Sequence, residues 1–286
     1  MPRFLLLFFA LPLILVSADQ QPASTKNYTL IWHDEFDGPN GSRPDPAKWT
    51  YDLGGGGWGN QELESYTNRP ENARVENGNL VITARKESYE GADHLAREYT
   101  SARLKTQGLF SQAYGRFEAR IKIPAGQGMW PAFWMLGDNI TSAGWPKCGE
   151  IDIMENVGKE PGTIHGSLHG PLTTGSASDL TAAANLVSGK DFAADFHLYA
   201  VEWDPGTVRF YVDSTLYATF TPESAGTNSA GSDSAVARAG SWVFDHPFYL
   251  ILNVAVGGSW PGAPDAGSTF PQTMLVDYVR VYSAKR

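Results

Sequence analysis

Three carboxylates lie close together in the segment GEIDIMENVG, at Glu150, Asp152 and Glu155. In a regular β-strand side chains alternate between two faces, so Glu150 and Asp152 would share one face and Glu155 would point to the other. A β-bulge at residues 153–154 would add one residue to the strand and return Glu155 to the first face. The carboxyl groups of the two glutamates could then lie roughly 5–6 Å apart, near the separation that a retaining glycosidase needs.

The segment TIHGSLH, which follows after a short connector, supports this interpretation. It places polar residues at alternate positions, as a strand with one polar face does. If Glu155 lies opposite His165, a bulge sets Glu150 opposite His169. The polar residues of both strands would then line one cleft.

Three neighbouring carboxylates cannot all ionise without cost, so the pKa of at least one is expected to rise. One glutamate could stay ionised as a nucleophile while the other stays protonated as an acid, with Asp152 coupling the two. A solvated acidic edge is a second interpretation, which the apolar residues Ile151, Ile153 and Met154 between the acids make less favourable. A divalent-metal site with His169 as a further ligand is a third. The spacing alone leaves these interpretations open.

The elements that must position these residues are predicted to be strands. YGRFEARIKI alternates polar and apolar residues, FYLILNVAV is an almost continuous apolar run, and LYAVEW and TVRFYV flank a DPG turn. Many such short runs, separated by glycine-rich or polar connectors and without an internal repeat, predict an all-β fold. We expect a two-sheet antiparallel β-sandwich of jelly-roll type, formed by a single domain over residues 19–286.

The N-terminal residues have the pattern of a secretory signal. Residues 1–18 contain an early arginine, the apolar run FLLLFFALPLILV and a small-residue cleavage site, and polar residues follow. We therefore expect a secreted, extracellular protein whose residues 19–28 form a flexible N-terminal segment. Asn27, Asn40 and Asn139 are potential glycosylation acceptors.

Composition narrows the possible partners. The formal net charge of −9 argues against nucleic acid and anionic membranes. Cys148 is the only cysteine, so no intramolecular disulfide can form, and we expect this residue to be buried. The nine Trp and twelve Tyr residues suit flat, partly apolar ligands such as sugar rings, although they also suit core packing. We expect a monomer.

The motif Glu-x-Asp-x-x-Glu in GEIDIMENVG resembles the signature of glycoside hydrolase family 16. The similarity extends to WHDEFDG, WGNQELESYT, YTSARLKTQGLFSQAYGRFEARIKIPAGQGMWPAFWMLG, FHLYAVEWDPGTVRFYVD and ILNVAVGGSWPG. The longer spacing resembles that of the laminarinase-like members, which cut β-1,3-glucans. The resemblance implies a substrate cleft on the concave face of the sandwich and catalysis without a cofactor.

Carried over residue by residue, the resemblance implies roles for the three acids. Glu150 would be the nucleophile, Glu155 the general acid/base, and Asp152 the residue that assists Glu150. The implied substrate-binding residues are Asn60, Glu62, Arg103, Trp130, Trp134, His169 and Trp260. Three of them have an alternative interpretation. Glu62 could only brace its loop, one of the two tryptophans of WPAFW could belong to the core, and His169 could contact either sugar or Glu155.

The family often carries a structural calcium on the convex side, away from catalysis. The matching positions are Glu35, Gly78 through its carbonyl, and Asp277. Oxygen ligands of this kind suit calcium. A solvent-facing role for Asp277 is an equally good interpretation.

The resemblance therefore implies a secreted endo-β-1,3-glucanase that hydrolyses laminarin-type or mixed β-1,3/1,4-glucan with retention of configuration. Two alternatives remain open. A transglycosylase would share the covalent half-reaction. A non-catalytic β-glucan-binding protein on the same sandwich would normally lack the catalytic acids, which this chain keeps.

Overall fold

The computed structural model describes residues 26–91, 94–171, 180–189, 191–222 and 242–285. The predicted signal segment 1–18, and all but the end of the predicted flexible segment 19–28, lie outside these ranges. Within the described residues the helical structure amounts to one short element, and no helix there is long and apolar enough to cross a membrane.

The described residues form seventeen strands and one helix. They are β1 (Tyr28–Asp34), β2 (Thr50–Asp52), β3 (Glu64–Tyr66), β4 (Ala73–Glu76), β5 (Asn79–Glu90), β6 (Ala96–Ser101), β7 (Arg103–Lys105), β8 (Gly115–Lys122), β9 (Met129–Gly137), α1 (Ile140–Ala143), β10 (Glu150–Glu155), β11 (Thr163–His169), β12 (Leu180–Val187), β13 (His197–Asp204), β14 (Thr207–Val212), β15 (Thr215–Phe220), β16 (Phe248–Val256) and β17 (Gln272–Ala284).

These strands form two sheets. The ten-stranded sheet has the order β15-β14-β13-β8-β17-β5-β6-β3, with β1 paired to β17 and β4 paired to β5. The seven-stranded sheet has the order β12-β11-β10-β9-β16-β7-β2. Pairing is antiparallel except between β3 and β6. Neighbouring strands such as β8 and β17 are distant in sequence, as in a jelly roll. The predicted two-sheet sandwich is confirmed.

The core lies between the two sheets, where their apolar faces meet. On β8, Phe117, Ala119 and Ile121 are fully buried while the residues between them carry charge, which is the alternation expected of a half-buried strand. β16 is buried along its whole length, as its continuous apolar sequence predicts. Phe133 of β9 belongs to the same buried cluster as Phe117, so one core joins the two sheets.

β10 occupies an interior position in the seven-stranded sheet, between β9 and β11. Ile151, Ile153 and Met154 are fully buried in the core. The rear of this strand is therefore apolar and fixed by packing, and its front is left for the polar side chains. The acidic segment is consequently held on a rigid element rather than on a loop, which favours precise placement of the acids.

Candidate active site

A bulge in β10 brings the three acids to one face. Against β11, Glu150 pairs with His169 and Glu155 pairs with His165, and the register shifts between Asp152 and Glu155. Against β9 the shift falls between Asp152 and Met154. The predicted bulge and the predicted pairing of the two strands are confirmed. The extra residue turns Met154 into the core and Glu155 toward the acids that precede it.

Glu150 receives its hydrogen bond from a tryptophan in the loop before β10. Trp145 Nε1 donates to Glu150 Oε2 at 3.0 Å. Trp145 itself is 49% exposed, so its ring stands at the surface of the cleft. His169 Nε2 lies 3.9 Å from Glu150 Oε1. Glu150 is thus held between two nitrogen-bearing rings, both of which favour its ionised form.

Glu155 is hydrogen-bonded to a different tryptophan. Trp130 Nε1 donates to Glu155 Oε1 at 2.9 Å. The ring of Trp130 also meets the edge of Trp260, with ring centroids 5.4 Å apart. Trp130 therefore links the acid to the loop that carries Trp260. Each glutamate has its own indole N–H donor, which fixes the two carboxyl groups separately.

Burial and mutual repulsion raise the pKa of both glutamates. Burial and the nearby Asp152 carboxylate raise the pKa of Glu155 to about 8, although His169 and the Trp130 hydrogen bond act in the opposite direction. The same two causes raise the pKa of Glu150 well above its ordinary value. The sequence predicted a division between one raised and one ordinary carboxyl. The pKa of both glutamates rises because both are desolvated in the cleft, so the hydrogen-bond donors around each acid, rather than burial, must distinguish their roles.

His169 contacts the acids at the start of the strand. Its Nε2 lies 3.0 Å from Asp152 Oδ2, and Asp152 is almost fully buried. In the described residues this histidine therefore contacts Asp152 and Glu150, opposite which the sequence placed it, and its contact with sugar stays a prediction. Ligand atoms of Glu150, Asp152 and His169 lie within 4.8 Å of one another. The geometry alone thus keeps the metal interpretation open, and the comparisons below decide against it.

A second cluster lies beside the acids, around Arg103 and Trp134. The guanidinium of Arg103 lies 4.6 Å from the centroid of the Trp134 ring and 5.0 Å from that of Trp58. Its Nε is 3.0 Å from Asp52 Oδ2. Trp134 Nε1 donates to Asn253 Oδ1 at 2.7 Å. Cation–π contact and hydrogen bonding therefore fix the indole plane, as a platform for a sugar ring requires.

Trp130 and Trp134 of WPAFW both lie on the cleft side of β9, so the expectation that one of them belongs to the core is not met. Trp130 and Trp134 both make hydrogen bonds on the polar face of β9, and both are only partly buried. Phe133, which has the opposite parity, is fully buried. Neither tryptophan belongs to the core interior.

Two loops form one end of the cleft. They carry Asn60, Glu62 and Trp260. Asn60 Nδ2 donates to Glu62 Oε1 at 3.1 Å. The carbonyl of Asn60 accepts the N–H of Ser259 at 2.7 Å, next to Trp260. Trp260 is 37% exposed, and its ring meets that of His165 at 4.8 Å. Glu62 therefore does brace its loop, and the loop itself borders the cleft.

Sequence reasoning missed two residues of this site. Trp145 is near the acids in sequence, but its hydrogen bond to Glu150 depends on the path of the loop after α1, which periodicity does not predict. Asn253 is the one polar side chain in the run FYLILNVAV, and it is almost fully buried. That isolated polarity is a signal that could have identified it, since a buried amide needs partners.

The residues implied as calcium ligands are engaged elsewhere. Both oxygens of Glu35 accept hydrogen bonds from Arg280, at 2.9 and 2.8 Å. Asp277 Oδ2 accepts a hydrogen bond from Arg120 at 2.7 Å. Gly78 lies in the turn between β4 and β5 with φ of 71°. Since each carboxylate is already neutralised by a guanidinium group, the arrangement does not fit a calcium ion. The calcium site stays a prediction that this geometry does not support.

Comparison with known proteins identifies the class to which this fold and site belong. The sequence profile described as Glycosyl hydrolases family 16 matches residues 60–279. The chain is 48% identical over 262 residues to a beta-glucanase from Rhodothermus marinus, covering 90% of this chain and 85% of that protein. The chain belongs to glycoside hydrolase family 16, and it is a glycoside hydrolase that needs no cofactor for catalysis.

Solved structures agree with this assignment. The endo-beta-1,3-glucanase from Pyrococcus furiosus matches with a TM-score of 0.81 and 46% identity, covering 92% of this chain and 97% of that one. The laminarinase catalytic domain from Thermotoga maritima matches with a TM-score of 0.79 and 45% identity, covering 91% and 100%. The similarity therefore covers more than nine-tenths of the chain in both comparisons.

Proposed function

We propose that the protein is an endo-β-1,3-glucanase that cleaves laminarin-type or mixed β-1,3/1,4-glucan with retention of configuration. The observation that carries this proposal is the bulged strand β10, which presents Glu150 and Glu155 on one face, each with its own indole donor. The names of the relatives support the substrate class, because they include a beta-glucanase, an endo-beta-1,3-glucanase and a laminarinase.

In the first step, the carboxylate of Glu150 attacks the anomeric carbon of the sugar. The bond between that carbon and the glycosidic oxygen breaks, and Glu155 donates its proton to the departing oxygen. The Trp145 hydrogen bond orients Glu150 for attack. The raised pKa of Glu155, about 8, keeps its proton in place at neutral pH.

In the second step, the same residues release the product. Glu155, now a carboxylate, takes a proton from a water molecule whose oxygen attacks the anomeric carbon. The bond to Glu150 breaks, and Glu150 returns as a carboxylate. His169 Nε2 lies 3.0 Å from Asp152 Oδ2 beside Glu150, so the two side chains together can stabilise Glu150 as its charge disappears and returns. Two inversions give net retention.

The sugar on the donor side would stack on Trp134 and hydrogen-bond to Asn60 and Arg103. Arg103 supports the indole from one side and is itself held by Asp52. Trp260, next to Trp130 and His165, would border the substrate at the side of Glu155. The platform and the two loops together suit a polysaccharide chain lying along the cleft.

Incubation with laminarin, barley β-glucan, agarose and carrageenan, with products sized by chromatography, tests the activity. Oligosaccharides from laminarin, and from barley glucan to a lesser or similar extent, are expected, together with a β-anomer as the first product by proton NMR. An α-anomer would contradict retention. Products longer than an added oligosaccharide would indicate a transglycosylase, and binding without cleavage would indicate a glucan-binding protein.

We also propose that the protein is secreted after removal of residues 1–18 and acts as a monomer formed by one catalytic domain over residues 19–286. The N-terminal sequence pattern supports the first statement, and the common core of the two sheets supports the last. N-terminal sequencing of protein from the medium and light scattering of the purified protein test them. The structural calcium that the resemblance implies at Glu35, Gly78 and Asp277 is not part of this proposal, because Arg280 and Arg120 hold the two carboxylates.

A further inference from the structure

A buried acid without a role in the hydrolytic steps lies beneath the donor side of the cleft. Glu64, at the start of β3, is fully buried. Its Oε2 accepts the N–H of Val256, the last residue of β16, at 2.6 Å. Its Oε1 receives no N–H or hydroxyl donor within the described part of the chain. Its hydrogen-bonding neighbour is instead the carboxyl group of Glu62. Two carboxyl groups in such contact require a proton between them.

The hydrogen bonds around the pair indicate where that proton resides. Both oxygens of Glu62 accept hydrogen bonds, one from Asn60 Nδ2 and one from the Tyr66 hydroxyl, each at 3.1 Å. Glu62 is also partly exposed to solvent, whereas Glu64 is not. Glu64 is fully buried, and its N–H donors come from the backbone alone. Burial first, and then the charge of Glu62, raise the pKa of Glu64 well above its ordinary value. Glu64 is therefore the neutral acid, and it donates to Glu62.

The Glu62 carboxylate is the last acceptor in a chain of hydrogen bonds that begins at Trp134, the proposed platform for the sugar ring. Trp134 Nε1 donates to Asn253 Oδ1 at 2.7 Å, and Asn253 Nδ2 donates to the Tyr66 oxygen at 3.2 Å. Because Tyr66 gives its only hydroxyl proton to Glu62, it can only accept from Asn253. Every donor in this chain thus points toward Glu62, which is the arrangement in which successive hydrogen bonds strengthen one another.

Glu62 also lies at the junction of the two loops that border the cleft. A side-chain carbon added at Gly258 would lie 3.1 Å from the Asn60 carbonyl, 3.5 Å from the Trp130 ring and 3.7 Å from Glu62 Cγ. The glutamate is therefore packed between Asn60 and the loop that leads to Trp260. A shift of its carboxylate would move Asn60 and loosen Trp134 at the same time.

We propose that Glu64 is a positioning residue of the donor side, whose proton holds the Glu62 carboxylate and, through it, the Asn60 amide and the Trp134 ring that bind sugar. Glu64 itself touches no substrate. The kinetic effects expected from this role rest on the proposed glucanase activity. The protonation of Glu64 at neutral pH does not depend on that activity.

Kinetics of Glu64→Leu and Glu64→Gln test the positioning role. Leucine removes both the proton and the acceptor, so KM for laminarin oligosaccharides is expected to rise about 10-fold with less than about a 3-fold loss in kcat. Glutamine can donate to Glu62 and accept from Val256, so most of the lost affinity should return. Ser65→Ala, on the same strand and buried but outside this chain of hydrogen bonds, is the matched control and should behave as wild type. Equal losses in the leucine and glutamine variants, or a loss confined to kcat, would overturn the proposal.

Tyr66→Phe provides a second variant if Glu64→Leu does not fold. It keeps Glu64 and its proton but disconnects Asn253 and Trp134 from Glu62. We expect a rise in KM of about 3- to 10-fold, with kcat nearly unchanged. An unchanged KM in this variant would show that the chain of hydrogen bonds does not position the platform.

Carbon-13 NMR of the glutamate carboxyl groups tests the protonation directly and needs no activity. The Glu64 signal is identified by its absence in Glu64→Gln. The titratable groups that face Glu64 are Glu62 from the preceding loop, Tyr66 from its own strand and Arg103 from β7 through Tyr66, while β16 contributes a backbone N–H. We expect the chemical shift of a protonated carboxyl group at pH 7. A carboxylate shift at pH 7 would overturn the proposal, whereas an inactive wild-type enzyme with a protonated Glu64 would contradict the glucanase activity alone.

Discussion

Acids are buried on both sheets of the sandwich, but their partners differ. On the ten-stranded sheet, Glu118 and Glu202 share the guanidinium of Arg116, with N–O distances of 2.7 and 3.2 Å. Tyrosine hydroxyls complete the set, since Tyr282 donates to Glu118 and Tyr211 donates to Glu202. The charge of these carboxylates is compensated within hydrogen-bonding distance. The carboxylates in turn raise the pKa of Arg116, against the opposite effect of its burial.

On the seven-stranded sheet, no arginine or lysine of the described residues forms an ion pair with the acids of β10. Glu150 and Glu155 receive indole N–H groups, and His169 lies 3.0 Å from Asp152 and 3.9 Å from Glu150. No full positive charge therefore offsets the cost of burying these carboxylates, and the pKa of both glutamates rises. The comparison shows that burial alone does not make an acid reactive. An arginine partner fixes its charge, whereas neutral donors leave the proton free to move at the pH of catalysis.

Alanine substitution of the β10 glutamates is expected to have the largest effect. Glu150→Ala and Glu155→Ala should each lower kcat on laminarin by at least about 10³-fold, because one removes the nucleophile and the other the proton donor. Both variants should fold, since each removes a buried acid whose charge is not balanced. Hydrolysis rates and circular dichroism check this.

Azide separates the two roles. It should partly restore Glu155→Ala by attacking the glycosyl-enzyme in place of the activated water, giving a β-glycosyl azide. Glu150→Ala should gain no such product. Substantial residual hydrolysis in Glu150→Ala, in protein free of wild-type enzyme, would remove Glu150 from the nucleophile role.

The matching substitution on the other sheet should affect stability instead. Glu202→Ala leaves Arg116 with one carboxylate and Tyr211 without its acceptor in a buried site. A loss of about 3 kcal/mol in the free energy of unfolding is expected from breaking such a buried pair. Denaturant titration measures it. The kcat of the folded fraction should stay near that of wild type, and a large fall in kcat would contradict the separation between the two sheets.

The pH dependence of activity should reveal the raised pKa in the cleft. Glu155 must be protonated to act as the acid, so kcat/KM should fall as pH rises past about 8. Trp130→Phe removes the hydrogen bond that lowers the pKa of Glu155, so the fall should move to higher pH. A shift to lower pH in this variant would contradict the assignment of Glu155 as the group that sets this limb.

Stability should depend on the same proton. The pKa of Glu155 is raised from 4.5 to about 8 on folding, so its contribution to stability is complete below pH 4.5 and is lost as pH rises through about 8. Glu155→Gln has no such group. The stability of Glu155→Gln relative to wild type should therefore increase between pH 5 and pH 8. The expected change in unfolding free energy is on the order of 2 kcal/mol, and melting temperatures at the two pH values measure its direction. A constant difference across that range would show that Glu155 is ionised in the folded protein.

Much of the site followed from local sequence pattern. The bulge in β10 was predictable because a period of two, applied to Glu150, Asp152 and Glu155, fails by one residue, and a bulge is the common physical remedy. The apolar rear of the strand and the buried β16 follow from the same pattern. Cys148 is buried, as expected for a lone cysteine.

What the sequence did not predict depends on contacts between distant segments. The hydrogen bond from Trp134 to Asn253 joins residues that are 119 positions apart, and that from Asn253 to Tyr66 spans 187. No periodicity within either strand encodes such a pairing. The arginine partners of Glu35 and Asp277 were missed for the same reason, because β1, β8 and β17 become neighbours only in the folded sheet.

Chelation is expected to have the smallest effect, and it bears directly on the comparison of acids. Glu35 resembles Glu118 rather than Glu150, because Arg280 binds both of its oxygens and lowers the pKa of Glu35. If this guanidinium supplies the positive charge, EDTA should change the melting temperature by less than about 1 °C, and Glu35→Gln should cost about 1 kcal/mol or less, since the pair is partly exposed. A fall of several degrees with EDTA, reversed by added calcium, would instead restore the calcium site that the family resemblance implies. Glu35 would then belong with metal ligands, and Arg280 would have to release it when the ion binds.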